Sequence, residues 1–546
     1  MEQGWNFADV WESVADSHPE YLAQIGPGRR FSWAEFDHRA DGVARALLDA
    51  GLGRQAKVAQ YLYNCPEYLE SMFGIFKAGL VPVNTNYRYT DDELFYLWHD
   101  ADVEAVVFDS VFASVCDRMR HRLPGIKCWI QLVQPEGAAR GPEASWALEY
   151  DTAAASACGR VEASWGRSGS DLYLLYTGGT TGMPKGVMWP QDHLFRYLES
   201  LSTRERPGVP DCEAYVRSIV KPGPKVLPAA PLMHGAGAWF AMSALCRAAA
   251  VVTLAVRSFN PAVLLSTAAD ERVNGVAIVG DPFGRPILDA LDADPGRWDL
   301  SRLKVLVSSG TALSPHVKDR LRSHVPGLVI MESLGSSETG AIAQANSSSD
   351  GRPGGTTFVL KPGSRVIDDD GLDVAAGSGQ AGRLAVSGNL PTGYFNDPVK
   401  SAESFITIDG TVYAVTGDWA EVEADGRTIK LLGRGSQCIN TGGEKVFAEE
   451  VEASIKSHDD VKDAVVVGVP DDLYGQAVVA VVQVTAGSML TEADIVAHAR
   501  RELAAYKTPK RVVFVDTIER GGNGKVDPRA IREMAMLRLR NALAHD

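Results

Sequence analysis

Apolar positions in the first hundred residues switch between helical and strand periods, and that switching predicts alternating helices and strands. Ser32 with Glu35 carries a capping-box signature, and Phe36, Ala40, Val43, Ala44, Leu47 and Leu48 follow at helical spacing. Residues 57–63 read as a strand, and Asn64 with Pro66 opens a helix that runs to Lys77. Residues 80–83 read as the next strand, Thr90 with Glu93 as a second capping box, and residues 104–108 as a further apolar strand. Strands separated by helices imply βαβ crossovers and a largely parallel sheet covered by helices. Residues 136–170, rich in Ala, Gly and Ser, read as a surface excursion, as do residues 203–225 with several Pro and Gly.

Near residue 433 the pattern changes. Two glycines in Leu432-Gly433-Arg434-Gly435-Ser436 interrupt a strand-like run, which marks a domain hinge. Beyond it the spacing predicts a helix over 448–456, strands over 464–469 and 478–484, a helix over 492–505 and a strand over 511–515. The expected fold is α/β: a large N-terminal domain of layered α/β sheets, residues 1–433, joined by a hinge to a small α+β domain, residues 434–546.

Composition narrows the function classes. With 546 residues, 45% hydrophobic and 23% charged, the chain reads as an ordinary globular protein of two or more domains. A net charge of −15 without a concentrated basic run speaks against nucleic acid. No apolar run is long enough for a transmembrane segment, the start lacks a signal-peptide pattern, and the 7 scattered cysteines include no CxxC pair. A cytoplasmic setting without structural zinc or disulfides is expected; peripheral membrane contact and a homodimer are compatible with the sequence.

The densest chemistry lies at residues 174–187, where a strand-like run feeds Thr177-Gly178-Gly179-Thr180-Thr181-Gly182 and then Lys185. Glycines let backbone N–H groups crowd a polyphosphate, hydroxyls add donors, and the lysine adds charge. Because no Gly-Lys-Ser/Thr triplet follows, this is not the phosphate loop of the common NTPases. Ser309-Gly310-Thr311-Ala312 follows a predicted strand over 303–307, where a sheet edge would accept a flat base. Leu334-Gly335-Ser336-Ser337-Glu338 follows the apolar stretch 328–331 and offers a carboxylate for Mg²⁺ near phosphates. Thr416-Gly417-Asp418 ends another strand-like run; alone it reads best as a turn, with ribose binding as the alternative. Lys525 sits on the glycine loop Gly521-Gly-Asn-Gly524. Asp281, before Pro282, is a pocket polar group or a turn former, with the turn favoured.

These clusters, together with Pro231-Leu-Met-His234-Gly, Gly443-Glu-Lys-Val446 and Val469-Pro-Asp471, stand in the order found in the adenylate-forming superfamily, which the chain strongly resembles from about Phe31 to Val526. Residues 174–189, 280–286 and 433–440 look most like bacterial acyl-CoA synthetases acting on steroid side chains and fatty acids. The resemblance implies an ATP-dependent acid:CoA ligase that forms acyl-AMP and then acyl-CoA, with ATP, Mg²⁺ and coenzyme A. It assigns Lys525 to the reacting α-phosphate, the loop from Thr177 to Lys185 to the departing phosphates, and Glu338 to Mg²⁺. Asp418 is assigned to ribose, Arg434 to nucleotide support, and Gly310, Thr311 and the segment from Leu334 to Ser337 to adenine and its surroundings. His234 falls where acyl pocket and thiol tunnel meet, and Gly442, Gly443 and Glu444 are assigned to the tunnel after rotation about Ser436. The small-residue run His234-Gly-Ala-Gly-Ala238 is expected to leave room for a bulky apolar acid. The sequence departs from the family pattern at Gly178, Leu334, Ser436 and Ala448, where Ser/Thr, an aromatic, Asp/Lys and Pro are common. The alternatives are a fatty acyl-AMP ligase that serves a carrier-protein thiol and a nucleotide-binding protein without catalysis.

Overall fold

The computed structural model describes residues 4–134, 141–177, 183–201, 211–254, 256–347, 357–435, 438–441, 444–471, 475–521 and 524–543. Packing divides the chain into two units: Met1–Ile278 with Ala290–Leu306 and Asn389–Ser404, and Val279–Asp289 with Val307–Gly388 and Phe405–Asp546.

In the first unit, Ser32 and Glu35 cap the helix Trp33–Asp49 reciprocally, with Ser32 N–H donating to Glu35 Oε2 at 2.7 Å and Glu35 N–H to Ser32 Oγ at 3.2 Å. Thr90 and Glu93 do the same for Asp91–Asp100. Both expectations hold because a capping box is decided within four residues of chain. The helix Pro66–Lys77 starts as expected, but Asn64 does not cap it; Cys65 is the N-cap residue and makes no side-chain bond. The Asn64 amide is drawn away to the chain segment 228–232.

A seven-stranded sheet runs in the order Leu148–Glu149, Cys128–Leu132, Val103–Asp109, Lys57–Tyr61, Val81–Asn84, Leu172–Thr177, Lys185–Pro190. Its neighbours are parallel except the last pair, which forms an antiparallel hairpin. The carboxyl ends of Val81–Asn84 and Leu172–Thr177 therefore share one edge, the edge where α/β sheets expose backbone and loops to ligands. Within the same unit Lys225–Pro228 is flanked in parallel by Gly275–Ile278 and Ala250–Val252, and Leu22–Gly26 continues that row. Among the described residues, the excursions read at 136–170 and 203–225 stay mostly at the surface and are pinned at a few buried points. The helix Tyr150–Ala154 buries Tyr150 completely, and Tyr215 of the helix Cys212–Arg217 stacks edge-on to Trp5 and Phe195. Single aromatic anchors recruit these Gly- and Ala-rich stretches, which composition averages conceal.

Lys77 is wholly enclosed in this unit. Lys77 Nζ lies 2.9 Å from Glu12 of the helix Phe7–Ser17, 2.7 Å from Asp37 and 2.9 Å from Asp41 of the helix Trp33–Asp49. Burial alone would drive its proton off, but the surrounding carboxylates hold its pKa above the usual lysine range.

In the second unit an antiparallel row runs Val329–Ser336, Gly340–Ser347, Thr357–Leu360, Thr428–Arg434, Thr411–Val422, Ala381–Val386, Ser364–Ile367. Its C-terminal part forms a separate sheet: Glu444–Phe447, Cys438–Thr441, Gly475–Val484, Val461–Asp471, with Arg511–Phe514 parallel to Gly475–Val484. Val466, Val478, Ala480 and Val482 meet Val451 and Ile455 of the helix Ala448–Lys456 on one face. Val465, Val479 and Val481 meet Ile531 and Ala535 of the helix Pro528–Leu543 on the other. Alternation along two long strands thus buries both faces.

Candidate nucleotide and acyl site

The candidate nucleotide residues in the second unit sit on strands and tied loops. Asp418 lies inside the strand Thr411–Val422 rather than in a turn, 6% exposed, with its Cα register opposite Arg434. Its N–H donates to Thr416 Oγ1 at 3.2 Å, a local bond that mimics a turn signature within extended backbone. Leu334, Gly335 and Ser336 end the strand Val329–Ser336, and Ser337, Glu338 and Thr339 link it to Gly340–Ser347. The pairing shifts register between Leu334 and Gly335, where a Cβ on Gly335 would collide with the Gly340 carbonyl. Thr339 Oγ1 accepts the Ser336 N–H at 3.0 Å and donates to Gly340 O at 2.8 Å, while Ser336 Oγ accepts the Glu338 N–H at 3.2 Å. Glu338 is therefore presented, half-buried, from a hairpin loop with few free torsions.

Gly310 takes φ +88° directly after the strand Val305–Ser309, a conformation that glycine adopts without strain. Gly280 packs so closely that a Cβ would strike Thr311 Oγ1 and the Ala312 carbonyl. Thr311 Oγ1 itself is buried and has no hydrogen-bond partner among the described residues. A buried hydroxyl costs free energy until something satisfies it. Asp281 is more than a turn former. Its carboxylate accepts the Ser314 N–H at 2.7 Å, the Ser314 hydroxyl, and Arg285 Nε at 3.1 Å.

The Lys525 loop is anchored by residues that the sequence did not single out. The Gly521 N–H donates to Lys525 O at 2.7 Å, and Arg520 Nη1 donates to Gly524 O at 2.9 Å. Arg520 in turn grips Asp463 through Nε at 2.7 Å and Nη2 at 2.9 Å. Burial penalises the Asp463 carboxylate, yet the Arg520 guanidinium outweighs it and holds the carboxyl below its ordinary range. A Cβ on Gly524 would stand 3.1 Å from Val279, 3.3 Å from Pro282 and 3.5 Å from Thr311. The backbone beside Lys525 thus rests on the segment that carries Gly280 and Thr311.

In the first unit, Thr177 and Lys185 are Cα partners at the mouth of the hairpin. Residues Gly178, Gly179, Thr180, Thr181 and Gly182 between them lie outside the described residues, as do Ser436, Gly442 and Gly443; Arg434 and Glu444 are described only as strand positions. Lys185 Nζ pairs with Asp397 Oδ2 at 3.0 Å and lies over the Tyr394 ring, 5.5 Å from its centroid. His234 is the half-buried N-cap residue of the helix Gly235–Leu245, and its carbonyl receives the Gly237 and Ala238 N–H groups, each at 3.0 Å. Gly237 is small because a Cβ would strike the Pro231 and Ala230 carbonyls, so its missing side chain serves backbone approach rather than pocket volume. Trp189, Tyr197 and Trp239 form a packed aromatic cluster with ring centroids 5.6 to 5.8 Å apart, and the buried Trp239 Nε1 has no partner among the described residues.

Sequence comparison supplies the family. Residues 11–395 match the AMP-binding enzyme family and residues 450–525 match its C-terminal domain. The chain belongs to the AMP-binding enzymes. It is 38% identical over 544 residues to a medium/long-chain-fatty-acid–CoA/3-oxocholest-4-en-26-oate–CoA ligase of Mycolicibacterium smegmatis, covering 97% of this chain and 96% of that one. It is 36% identical over 543 residues to a 3-oxocholest-4-en-26-oate–CoA ligase of Rhodococcus rhodochrous, covering 98% and 96%. The ATP-bound structure of MatB from Rhodopseudomonas palustris superimposes with a TM-score of 0.80 at 26% identity, covering 97% of this chain and 99% of that one. An anthranilate CoA ligase, AuaEII, in complex with anthranoyl-AMP shares the fold alone, with a TM-score of 0.84 at 22% identity and 98% coverage of both chains. The resemblance read from the motifs is thereby borne out.

In this AMP-binding enzyme, Arg520, Asp463 and Asp397 are the supporting residues that motif reading missed. Arg520 adjoins the glycine loop and was open to notice, but its partner Asp463 lies 57 positions away, beyond the reach of any local pattern. Among the described residues no helix is long and apolar enough to cross a membrane.

Proposed function

We propose that this AMP-binding enzyme is an ATP-dependent acid:CoA ligase for a hydrophobic carboxylic acid, a medium- or long-chain fatty acid or a steroid side-chain acid. The observation that carries the reading is the seating of the Lys525 loop on Thr311 and Pro282, beside a Thr311 hydroxyl without a partner among the described residues. The names of its relatives supply the substrate class.

A carboxylate is a weak nucleophile, and its attack on the α-phosphate of ATP piles negative charge on that phosphorus. Lys525 neutralises this charge, while Thr177, Lys185 and the loop between them take the departing diphosphate. Asp418 accepts the ribose hydroxyls; Gly310, Thr311 and Leu334 bound the adenine, with Leu334 giving apolar cover rather than stacking. Among the described residues no cluster of three or more His, Cys, Asp or Glu is gathered for a metal. A single carboxylate on a tied loop suits Mg²⁺, which is commonly held by one or two carboxylates and substrate phosphates; half-buried Glu338 would be the protein ligand. Bound there, the ion would offset charge on the diphosphate. For the second step, residues 434–546 turn about Ser436, withdraw Lys525, and bring Gly442, Gly443 and Glu444 to the thiol path beside His234.

Lys525→Ala is expected to slow acyl-AMP formation by about 10²–10³-fold, comparable to loss of one preorganised charge donor, while CoA still discharges preformed acyl-AMP. Unchanged adenylation would reject the assignment. Acyl-AMP from the wild type that CoA cannot discharge would replace CoA by a carrier-protein thiol.

A further inference from the structure

The carboxyl edge of the parallel sheet carries two asparagines that no motif explains, Asn84 buried and Asn64 partly so. Asn84, the last residue of Val81–Asn84, is 5% exposed. Its Nδ2 donates to Tyr176 O at 2.8 Å and to Met233 O at 2.7 Å, and its Oδ1 accepts the Tyr176 N–H at 2.6 Å. Two carbonyls on one side and an N–H on the other leave only one orientation of the amide. Tyr176 immediately precedes Thr177, where the phosphate loop begins, and Met233 immediately precedes His234. Asn64, beyond the adjacent strand, accepts the Leu232 N–H at 2.7 Å and donates to Pro228 O at 3.2 Å and Ala230 O at 3.1 Å.

We infer that Asn84 is a positioning residue, with Asn64 as its support: one amide holds the root of the triphosphate-binding hairpin and the root of the His234 segment at a fixed separation. The inference rests on the reading of these two segments given above. Three physical points support it. The amide bridges two backbones 57 positions apart in sequence, Tyr176 and Met233, which no secondary-structure ladder among the described residues joins directly. No other side-chain type of this size offers two donors and an acceptor in one plane, so neither Asp nor Leu replaces it. Near-attack geometry tolerates displacements well below an ångström, so slack at either root falls on the rate of the chemical step.

A matched control lies one strand away. Gln60 is 1% exposed and donates from Nε2 to Tyr68 O and Ser71 Oγ, both at 2.7 Å, entirely within the body of the unit. The test compares Asn84→Leu, Asn84→Asp and Gln60→Leu in the full chain, by single-turnover acyl-AMP formation, KM for ATP and melting temperature. Asn84→Leu is expected to lower the adenylation rate constant by at least about tenfold, whereas Gln60→Leu loses similar thermal stability with its rate constant within about twofold of wild type. Asn84→Asp should recover activity between about pH 8 and about pH 6, because a carboxyl facing carbonyls protonates readily and then donates to one of them. Should Asn84→Leu fail to fold, that acid rescue decides on its own. Equal rate losses in Asn84→Leu and Gln60→Leu, or an Asn84→Asp rate ratio to wild type that is flat with pH, would reduce Asn84 to a structural amide. Lys185→Ala run alongside separates the premises: if it adenylates normally, the phosphate-loop reading fails, whatever Asn84 does.

Discussion

Removing the Glu450 carboxylate should weaken the C-terminal part of the chain and, through one of its two partners, bias the order of the two half-reactions. Glu450 Oε1 lies 2.9 Å from Lys430 Nζ on the strand Thr428–Arg434, and Oε2 lies 2.6 Å from Lys507 Nζ. The carboxylate side chain is 5% exposed, that of Lys507 16% and that of Lys430 37%. A charge-assisted bond at a mostly buried site is worth about 1.5–3 kcal/mol; the more exposed Lys430 bond is discounted for solvent to about 0.5–1 kcal/mol. Glu450→Gln should therefore cost about 2–4 kcal/mol, Lys507→Met about 2 kcal/mol and Lys430→Met less than about 1 kcal/mol. Lys430 precedes the proposed hinge, whereas Glu450 and Lys507 follow it, so rotation about Ser436 breaks only the Lys430 bond. Losing about 0.5–1 kcal/mol there shifts the balance of arrangements about two- to fivefold, since 1.4 kcal/mol is a factor of ten. Rapid-quench measurement of acyl-AMP formation and of its discharge by CoA reads this directly. Lys430→Met should raise the ratio of discharge to formation by that factor, and Lys507→Met should leave it unchanged while lowering the melting temperature. Equal ratios in the two variants would refute the reasoning. The same triad sets an acid limit. Burial opposes ionisation of Glu450, but Lys430 and Lys507 outweigh it and hold its pKa below the ordinary 4.5. Its contribution is complete above pH 4.5 and is lost as pH falls through the lower folded value, so the Glu450→Gln deficit should shrink in acid.

Arg520→Met should slow adenylation at least about tenfold, with a smaller effect on discharge of preformed acyl-AMP, because the Lys525 loop loses its tether to Asp463; equal slowing of both steps would contradict this. Gly335→Ala should cost about 1–3 kcal/mol by overpacking against Gly340 and weaken ATP binding, measured by thermal melts and calorimetry. A small thiol reagent should label exposed Cys158 well before Cys65, Cys116 and Cys246, whose thiols burial pushes up, Cys246 to about 12; peptide mapping after timed alkylation checks the order. Trp11→Ala, in a fully buried aromatic cluster with Phe7, Phe36, Phe73 and Phe76, should cost about 3–5 kcal/mol in urea unfolding.

Features settled by a few neighbouring residues were legible in the chain. The capping boxes at Ser32 and Thr90, the helix Ala448–Lys456 and the strand Arg511–Phe514 depend on local spacing, and each appears where the pattern puts it, to within a residue. Ordered motifs likewise announced the family. What stayed hidden involved partners distant in sequence. Asn64 looked like a helix opener because its attraction to residues 228–232 exists only after two sheets assemble. Asp418 looked like a turn because Thr416 supplies a turn-like bond inside a strand whose pairing with residues 433–434 is long-range. Gly237 suggested pocket room, whereas its neighbour is its own preceding loop. Asp281, split between turn and pocket, also ties Ser314 to Arg285, partners that spacing alone does not reveal.

The knot around Lys77 has a practical corollary for anyone shortening this polypeptide. Cutting away the helix Phe7–Ser17 removes Glu12, and with it one of the acids that keep an enclosed ammonium solvated by protein. Such a truncation discards far more than a peripheral turn: it leaves Lys77 with Asp37 and Asp41 alone and uncovers Phe73 and Phe76, on which Trp11 and Phe7 pack. Fusion partners and deletions are therefore better placed upstream of that helix than within it.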